Sequence, residues 1–479
     1  MIINKINSTN KIKFYFFLFF FILINYSRFY LDTYNLEWYF IELSKYFNNQ
    51  DYFFDIYLFK QNQANTTFYS LFLSIFNNFA PSYPSKIVLF RFINFIPFVL
   101  LFFLIYQKKI INFEKISQIL LLILFCPIIT VYAFRIYPDF LSATLIWLSL
   151  ILLANKNKNI SILIFVLSFL IKPISIVTFP IFIVLIFKFF QSDRIKLILE
   201  YIFFTVFTYA VYLLYFEKIA FGSNYGDVYI KLDILSSIFN FINYYNYIIL
   251  LSLPVISYLI INYFININFN YKKIFNLILI SALLTGALVA FTYNLGEMNY
   301  GYISAIIKNQ YFLISLIFIN VLVGVIFFYI SIKNKKSKLI FLVFLSCLLF
   351  LSVLVARPTQ RYLMYLLPMF FFIIVNLYED KLKYFRFSII LYVLVFSIVS
   401  YGQKLIQLNT SKSFNTIINY AVENNIQIKG MNPGITYHSK GYLFEKFLKN
   451  EVMLKNQIFY KYKITNCENT KKYLIIKKI

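Results

Sequence analysis

The sequence predicts an all-α polytopic membrane protein with about thirteen transmembrane helices and a small C-terminal α/β domain outside the membrane. Of its 479 residues, 61% are hydrophobic and 13% are charged, roughly half the charged share of a soluble domain. The apolar residues form blocks about as long as a bilayer is thick. Short loops rich in lysine separate these blocks.

The first apolar run, Phe14 to Tyr26, follows three basic residues, Lys5, Lys11 and Lys13. A signal peptide is one interpretation of such a run. No small-residue cleavage site follows it, so we expect an uncleaved anchor. Basic residues ahead of the first span place the N-terminus in the cytoplasm.

Twelve further apolar runs predict the remaining spans. They are Ile87–Tyr106, Ile116–Phe134, Phe140–Ala154, Ile160–Ile171, Ile174–Phe190, Leu197–Phe216, Tyr247–Ile265, Ile274–Tyr293, Phe312–Ile332, Leu339–Ala356, Leu363–Leu377 and Phe387–Tyr401. The loops that this order places in the cytoplasm are all rich in Lys or Arg, as the positive-inside rule requires. The chain is therefore predicted to lie in the inner (plasma) membrane, with its C-terminus outside the cytoplasm.

The stretch from Ile160 to Phe190 has two interpretations. It is either one helix kinked at Lys172 and Pro173, since proline kinks helices, or two short spans joined by a turn there. A single span would place the basic loop Lys333–Lys338 outside the cytoplasm. The charge pattern therefore favours two spans.

Composition and motif content exclude several functions. The formal charge of +26 raises nucleic acid as a partner, but the lysines fall largely in loops predicted to be cytoplasmic, and no nucleic-acid partner is predicted. Cys126, Cys347 and Cys467 lack metal-ligand spacing, and His438 is the single histidine. No metal site or cofactor is predicted with certainty.

The unusual polar residues collect on the predicted outer face. The first outer loop (29–83) is acidic and carries Asp32 and Glu37, and its stretch Leu36 to Phe47 has the spacing of an amphipathic helix. The other outer segments contribute the turn Arg135–Asp139, Lys172, Glu297, and the turn Arg357–Tyr362. Charges close to the ends of apolar spans are functional candidates, because they are costly unless they are paired or face a polar cavity.

These residues also resemble a family. An acid just after the first span (Asp32), Tyr137-Pro138-Asp139 at the start of a span, a Lys in a short break (Lys172) and a late Arg361-Tyr362 are similar to the GT-C glycosyltransferases. That superfamily includes the protein O-mannosyltransferases and the aminoarabinose transferases of lipid A. The resemblance covers roughly residues 10 to 400 and lies in the order and shared sidedness of short motifs.

The resemblance implies transfer of a sugar from a polyprenyl-phosphate donor to a lipid-linked glycan, lipid or protein acceptor on the outer face. It implies catalytic roles for Asp32, as the base, and Asp139. Fixed cations would then stabilise the phosphate leaving group, with Arg361 first and Arg357 and Lys172 next. The supporting residues would be Glu37, Tyr137, Glu297 and Tyr362. A divalent metal held by Asp32 with Asp139 or Glu37 stays open.

Each assignment has a structural alternative. Asp32 can be a solvated loop acid, and Asp139 can cap the helix that follows it. The two arginines can anchor the chain at the lipid head groups, and Lys172 can mark only a break between spans. For the whole protein, the alternatives are a polysaccharide polymerase or ligase of the O-antigen type, a multi-pass transporter, and a structural protein.

The residues from Gly402 onward are polar and basic, and predict a small domain outside the cytoplasm (402–479) after the transmembrane domain (1–401). We expect short helices at Ser413–Glu423 and Tyr442–Leu448, and short strands at Ile426–Lys429, Ile458–Ile464 and Tyr473–Lys477.

Overall fold

The computed structural model describes residues 19–23, 25–31, 37–48, 67–80, 82–107, 113–216, 234–266, 271–295, 310–355, 359–378, 382–423, 458–464 and 471–477. In these ranges the chain is helical apart from connecting turns and one β-hairpin. Several predicted features lie outside them, including the acid of the first outer loop (Asp32), two further site candidates (Glu297 and Arg357), a predicted helix (Tyr442–Leu448) and a predicted strand (Ile426–Lys429).

Most helices overlap the predicted apolar runs, and the helices Ile234–Asn266 and Leu382–Glu423 extend well beyond them. In chain order the helices are α1 (Glu37–Phe47), α2 (Thr67–Ser74), α3 (Tyr83–Gln107), α4 (Phe113–Phe125), α5 (Pro127–Tyr132), α6 (Pro138–Ala154), α7 (Lys158–Ile171), α8 (Phe179–Phe189), α9 (Arg194–Phe216), α10 (Ile234–Asn266), α11 (Tyr271–Leu295), α12 (Gln310–Lys333), α13 (Lys338–Leu354), α14 (Leu367–Leu377) and α15 (Leu382–Glu423). Short 3-10 helices cover Tyr26–Tyr30, Asn77–Phe79, Pro173–Thr178 and Gln360–Tyr365.

Three helical segments in the described residues are long and apolar enough to cross a membrane. They are Ile234–Tyr263, Ile314–Lys333 and Phe385–Leu405. Six shorter apolar helical segments of 10 to 17 residues accompany them, among them those that form α6 and α7. The chain is therefore a helical protein with segments that can span a bilayer.

Proline sets several helix boundaries. The predicted span Ile116–Phe134 is divided at Cys126, which is extended because Pro127 follows it. Lys172 is extended for the same reason ahead of Pro173, and it ends α7. The stretch Ile160–Phe190 is thus broken at Lys172. Both interpretations of this stretch place a break there, so the choice of two spans stays a prediction.

Helices α6 and α7 form the closest helix pair around this break. The Ser142 and Ser168 hydroxyls lie 2.8 Å apart, and each donates to the other's backbone carbonyl at 3.0 Å. Ser149 and Ser161 form the same kind of contact about two helical turns away along the pair, with their hydroxyls 2.9 Å apart. Small residues allow such close approach. The two contacts run in opposite chain directions, so the helices are antiparallel and the start of α6 lies beside the end of α7.

Two hydrophobic clusters surround this pair. The larger one joins α3, α4 and α6 to the later helices through residues such as Phe98, Trp147 and Phe371. The smaller one packs α1 and α2 against α3 and the start of α6, with Phe40 and Tyr69 at 5.0 Å between ring centroids. The predicted helix in the first outer loop is therefore present, as α1, and its apolar side is buried against the protein.

The C-terminal part departs from the expected boundary. Helix α15 continues through Gly402 to Glu423. No proline interrupts the sequence from Leu382 to Glu423. A helical glycine costs only about 1 kcal/mol relative to alanine. The strand β1 (Ile458–Ile464) has the predicted bounds, and it pairs antiparallel with β2 (Lys471–Lys477). The division into two domains at residue 402 stays a prediction.

The tight contact between α6 and α7 predicts a sensitive position. We expect Ser168→Leu to lower the free energy of unfolding by about 1–3 kcal/mol, because the larger side chain forces the backbones apart. The midpoint of thermal unfolding in detergent measures this effect. Ser346→Leu on the exposed side of α13 is the matched control, and equal shifts in the two variants would contradict the expectation.

Candidate active site

Helix α6 begins with a carboxylate that is buried. Tyr137 is extended, Pro138 occupies the first helical position, and Asp139 lies in the first turn. Proline is well suited to that position, and the helix dipole favours an acid there. The structure shows no side-chain capping bond at this N-terminus. Asp139 therefore does not act as a helix cap.

The partner of Asp139 comes from the 3-10 helix Gln360–Tyr365. The Nε atom of Arg361 lies 3.6 Å from Oδ1 of Asp139. The Arg361 guanidinium carbon also lies 5.7 Å from the ring centroid of Tyr137 and 5.4 Å from that of Tyr362. Distances of this size are typical of cation–π contacts. Arg361 is thus held by one carboxylate and two aromatic rings.

Lys172 reaches the same place from the break after α7. Its Nζ lies 5.8 Å from the ring centroid of Tyr362. Because α6 and α7 are antiparallel, Lys172 and Asp139 lie at the same end of the pair. The structure therefore brings together five residues predicted for the site, which we call the polar cluster: Tyr137, Asp139, Lys172, Arg361 and Tyr362.

The polar cluster contains a carboxylate whose hydrogen-bonding capacity is unused. The Asp139 side chain is 1% exposed and that of Arg361 is 21% exposed. Neither carboxylate oxygen of Asp139, nor the Nε atom of Arg361, makes a hydrogen bond to any described residue. Such buried groups are normally hydrogen-bonded, so an exception requires an explanation. A ligand hydroxyl can donate to the Asp139 carboxylate, and a ligand phosphate oxygen can accept from the Arg361 Nε–H.

The Arg361 side chain stays protonated. Burial alone would lower the pKa of the guanidinium, but the Asp139 carboxylate beside it raises that pKa well above its ordinary value. Burial also raises the pKa of Tyr137, so this hydroxyl stays protonated and can donate a hydrogen bond. The cluster therefore presents the Arg361 cation and the neutral phenol of Tyr137.

Helix α3 holds the turn that leads to Asp139. The Arg91 guanidinium donates to Glu37 from Nε at 3.0 Å and from Nη2 at 2.7 Å, with both side chains 0% exposed. Oε1 of Glu37 also accepts the Ile136 N–H at 2.8 Å. Asn94, one turn further along α3, donates to the Arg135 carbonyl at 2.7 Å. Glu37, predicted as a supporting residue, is engaged in this buried pair.

Helix α10 holds the segment on the other side. Asn240 donates to the Val355 carbonyl at 2.6 Å. The Tyr244 hydroxyl accepts the Thr359 N–H at 2.9 Å. These bonds fix both flanks of the segment that contains Arg357, which lies outside the described residues together with Asp32 and Glu297.

Sequence reasoning missed the residues that hold these segments. Arg91 could have been identified from the sequence, because a charged residue inside a predicted span is a candidate functional residue by default. Asn94, Asn240 and Tyr244 could not, because isolated polar residues in apolar helices are common. Within the described ranges, no three His, Cys, Asp or Glu side chains come together as a group that could hold a metal.

No protein-family model, curated protein or solved structure matches this chain.

The unequal burial of Asp139 and Arg361 predicts unequal effects of neutralising them. Arg361→Gln leaves a buried carboxylate without its cation, and we expect it to cost about 3–5 kcal/mol of unfolding free energy. Asp139→Asn removes the charge that lacks hydrogen bonds, and we expect the loss to stay within about 1 kcal/mol. Chemical unfolding of the two variants in detergent compares them. A larger loss for Asp139→Asn would contradict the expectation.

Proposed function

We propose that this protein is a glycosyltransferase of the GT-C type, which moves a sugar from a polyprenyl-phosphate donor to a lipid-linked glycan, lipid or protein acceptor. The observation that carries the proposal is the gathering of Arg361, Lys172 and Asp139 around the Tyr362 and Tyr137 rings at one end of the α6–α7 pair. Two cations and one carboxylate in a buried site suit a substrate with a phosphate and hydroxyl groups.

The position of the polar cluster supports an outer-face reaction. The α6–α7 pair is closed at its other end by a tight turn at Asn155–Asn157, where Lys156 has a positive φ of 63° and Lys158 begins α7. Lysine-rich turns favour the cytoplasmic side. The polar cluster lies at the opposite end of the pair. We therefore propose the finer topology as well: about thirteen spans in the inner membrane, a cytoplasmic N-terminus and an outer C-terminus.

The transfer step assigns a role to each group. The acceptor hydroxyl oxygen forms a bond to the anomeric carbon as the bond from that carbon to the phosphate oxygen breaks. The hydroxyl proton passes to Asp32, the proposed base. Polyprenyl phosphate leaves with the electron pair, and its growing negative charge is stabilised by Arg361, with Lys172 and Arg357 next. Asp139 orients Arg361 or positions the acceptor. Glu297 is proposed as a supporting residue.

The lipid tail of the donor accounts for the location of such a site. A polyprenyl chain stays in the bilayer, so an enzyme that uses it has to present its cations at the membrane boundary. The segments of this chain that can span a bilayer would supply that setting. Membrane lipids are then permanent partners of the protein.

The decisive experiment measures release of polyprenyl phosphate in proteoliposomes that contain a panel of polyprenyl-phosphate sugars and a membrane extract as the acceptor source. We expect turnover by the wild type. Asp32→Asn should lower kcat by about 10²–10⁴-fold, because it removes the base. Arg361→Lys should lower it by about 10²–10³-fold, because lysine cannot offer two parallel donors to the phosphate.

The matched control is Lys335→Ala, which removes an exposed cation from the turn between α12 and α13 and should leave turnover unchanged. All variants are compared at equal folded amount. Equal turnover by Asp32→Asn and the wild type would remove Asp32 from the chemistry. Absence of turnover with every donor would refute the transferase and favour a polymerase, a ligase or a transporter.

A further inference from the structure

The buried pair of Arg91 and Glu37 has more contacts than charge neutralisation needs. All three guanidinium nitrogens of Arg91 are engaged: Nε and Nη2 bind the two Glu37 oxygens, and the two N–H groups of Nη1 are shared among three backbone carbonyls. The Arg28 and Phe29 carbonyls lie 2.9 and 3.2 Å from Nη1, and the Leu31 carbonyl is also bonded to it. Leu31 immediately precedes Asp32 in the sequence.

The same pair reaches the polar cluster on its other side. Oε1 of Glu37 accepts both the Arg91 Nε–H and the Ile136 N–H, at 3.0 and 2.8 Å. Ile136 stands three residues before Asp139. Asn94 holds the neighbouring carbonyls of Arg135 and Tyr137, at 2.7 and 3.4 Å. One ion pair therefore connects the segment Arg28–Leu31 to the turn that begins α6.

We propose that Arg91 is a positioning residue that, through Glu37, fixes the segment ahead of Asp32 relative to the turn that carries Asp139. The inference rests on the proposed transferase function for its catalytic consequence, and it identifies a residue that does not touch the substrate. Stability alone does not require this arrangement, because a protein in which apolar residues replace a buried ion pair is often just as stable. The planar guanidinium provides a geometry that an ammonium group cannot reproduce.

The catalytic consequence is a matter of distance. Two catalytic groups on different segments, here Asp32 and Asp139, act together only when the segments keep a fixed separation, and a displacement of about 1 Å can cost about 10²-fold in rate. Arg91 would set the separation between the segment ahead of Asp32 and the turn that carries Asp139. Its loss should lower kcat and leave the donor KM unchanged, because the donor phosphate is bound by the cations of the polar cluster.

The test compares Arg91→Lys and Glu37→Gln with a stability control. Asn320→Ala removes a buried bond to the Asn246 carbonyl, 2.7 Å long, between α12 and α10. It should lower the unfolding midpoint without altering the α3 contacts. Amide hydrogen exchange in nanodiscs is measured on peptides that cover residues 25–31 and 133–139, and kcat and KM are measured in the proteoliposome assay.

We expect Arg91→Lys to speed exchange at least tenfold in both peptides and to lower kcat about 10²-fold with an unchanged KM. Glu37→Gln should speed exchange of the Ile136 amide, and Asn320→Ala should leave both peptides as in the wild type. Faster exchange in only one peptide, or in neither, would overturn the inference. So would wild-type kcat in Arg91→Lys. The exchange result stands even if no donor is turned over by the wild type, so the two proposals fail separately.

Discussion

The serine contacts between α6 and α7 are the constraint on which the candidate site depends. A hydroxyl that bonds to the facing helix at 3.0 Å leaves no space for another side chain between the backbones. Two such contacts fix both the distance and the antiparallel direction of the pair. They place the end of α7 beside the start of α6, and Lys172 and Asp139 come from those two ends. The 3-10 helix Gln360–Tyr365 then adds Arg361 and Tyr362 against that surface.

Much of this site was predictable, because it depends on sidedness. The alternation of basic loops assigns each helix end to one side of the membrane, so residues as distant in sequence as Asp139 and Arg361 are expected on the same face. Proline made two further features visible, since it ends α7 at Lys172 and begins α6 at Pro138. The periodicity of a helix and the points where it begins or ends depend on residues that are neighbours in the chain, so the sequence predicts them well.

The contacts between segments were not predictable in the same way. Arg91, Asn94 and Asn240 lie in runs that are otherwise apolar, and nothing local tells which backbone group each will meet. The burial of Glu37 was also not predictable, because an acid in a polar loop is usually solvated, whereas here it is fully buried against Arg91. Likewise, a glycine followed by polar residues suggested the end of a helix at residue 402, yet the backbone of α15 continues through it.

Helix α15 has a consequence for the part of the chain that follows it. Arg28 donates to the Thr130 carbonyl and to the Ser400 hydroxyl, at 2.8 and 3.2 Å, and so ties the middle of this helix to the end of the protein where the polar cluster lies. From Leu405 to Glu423 the same helix rises by roughly 27 Å. In an unbroken helix each residue advances the direction of the chain by about 100°, so deleting one residue beyond Leu405 would turn Glu423 by that angle about the helix axis. The direction in which the chain leaves α15 at Glu423 is thereby set by the packed part of the helix.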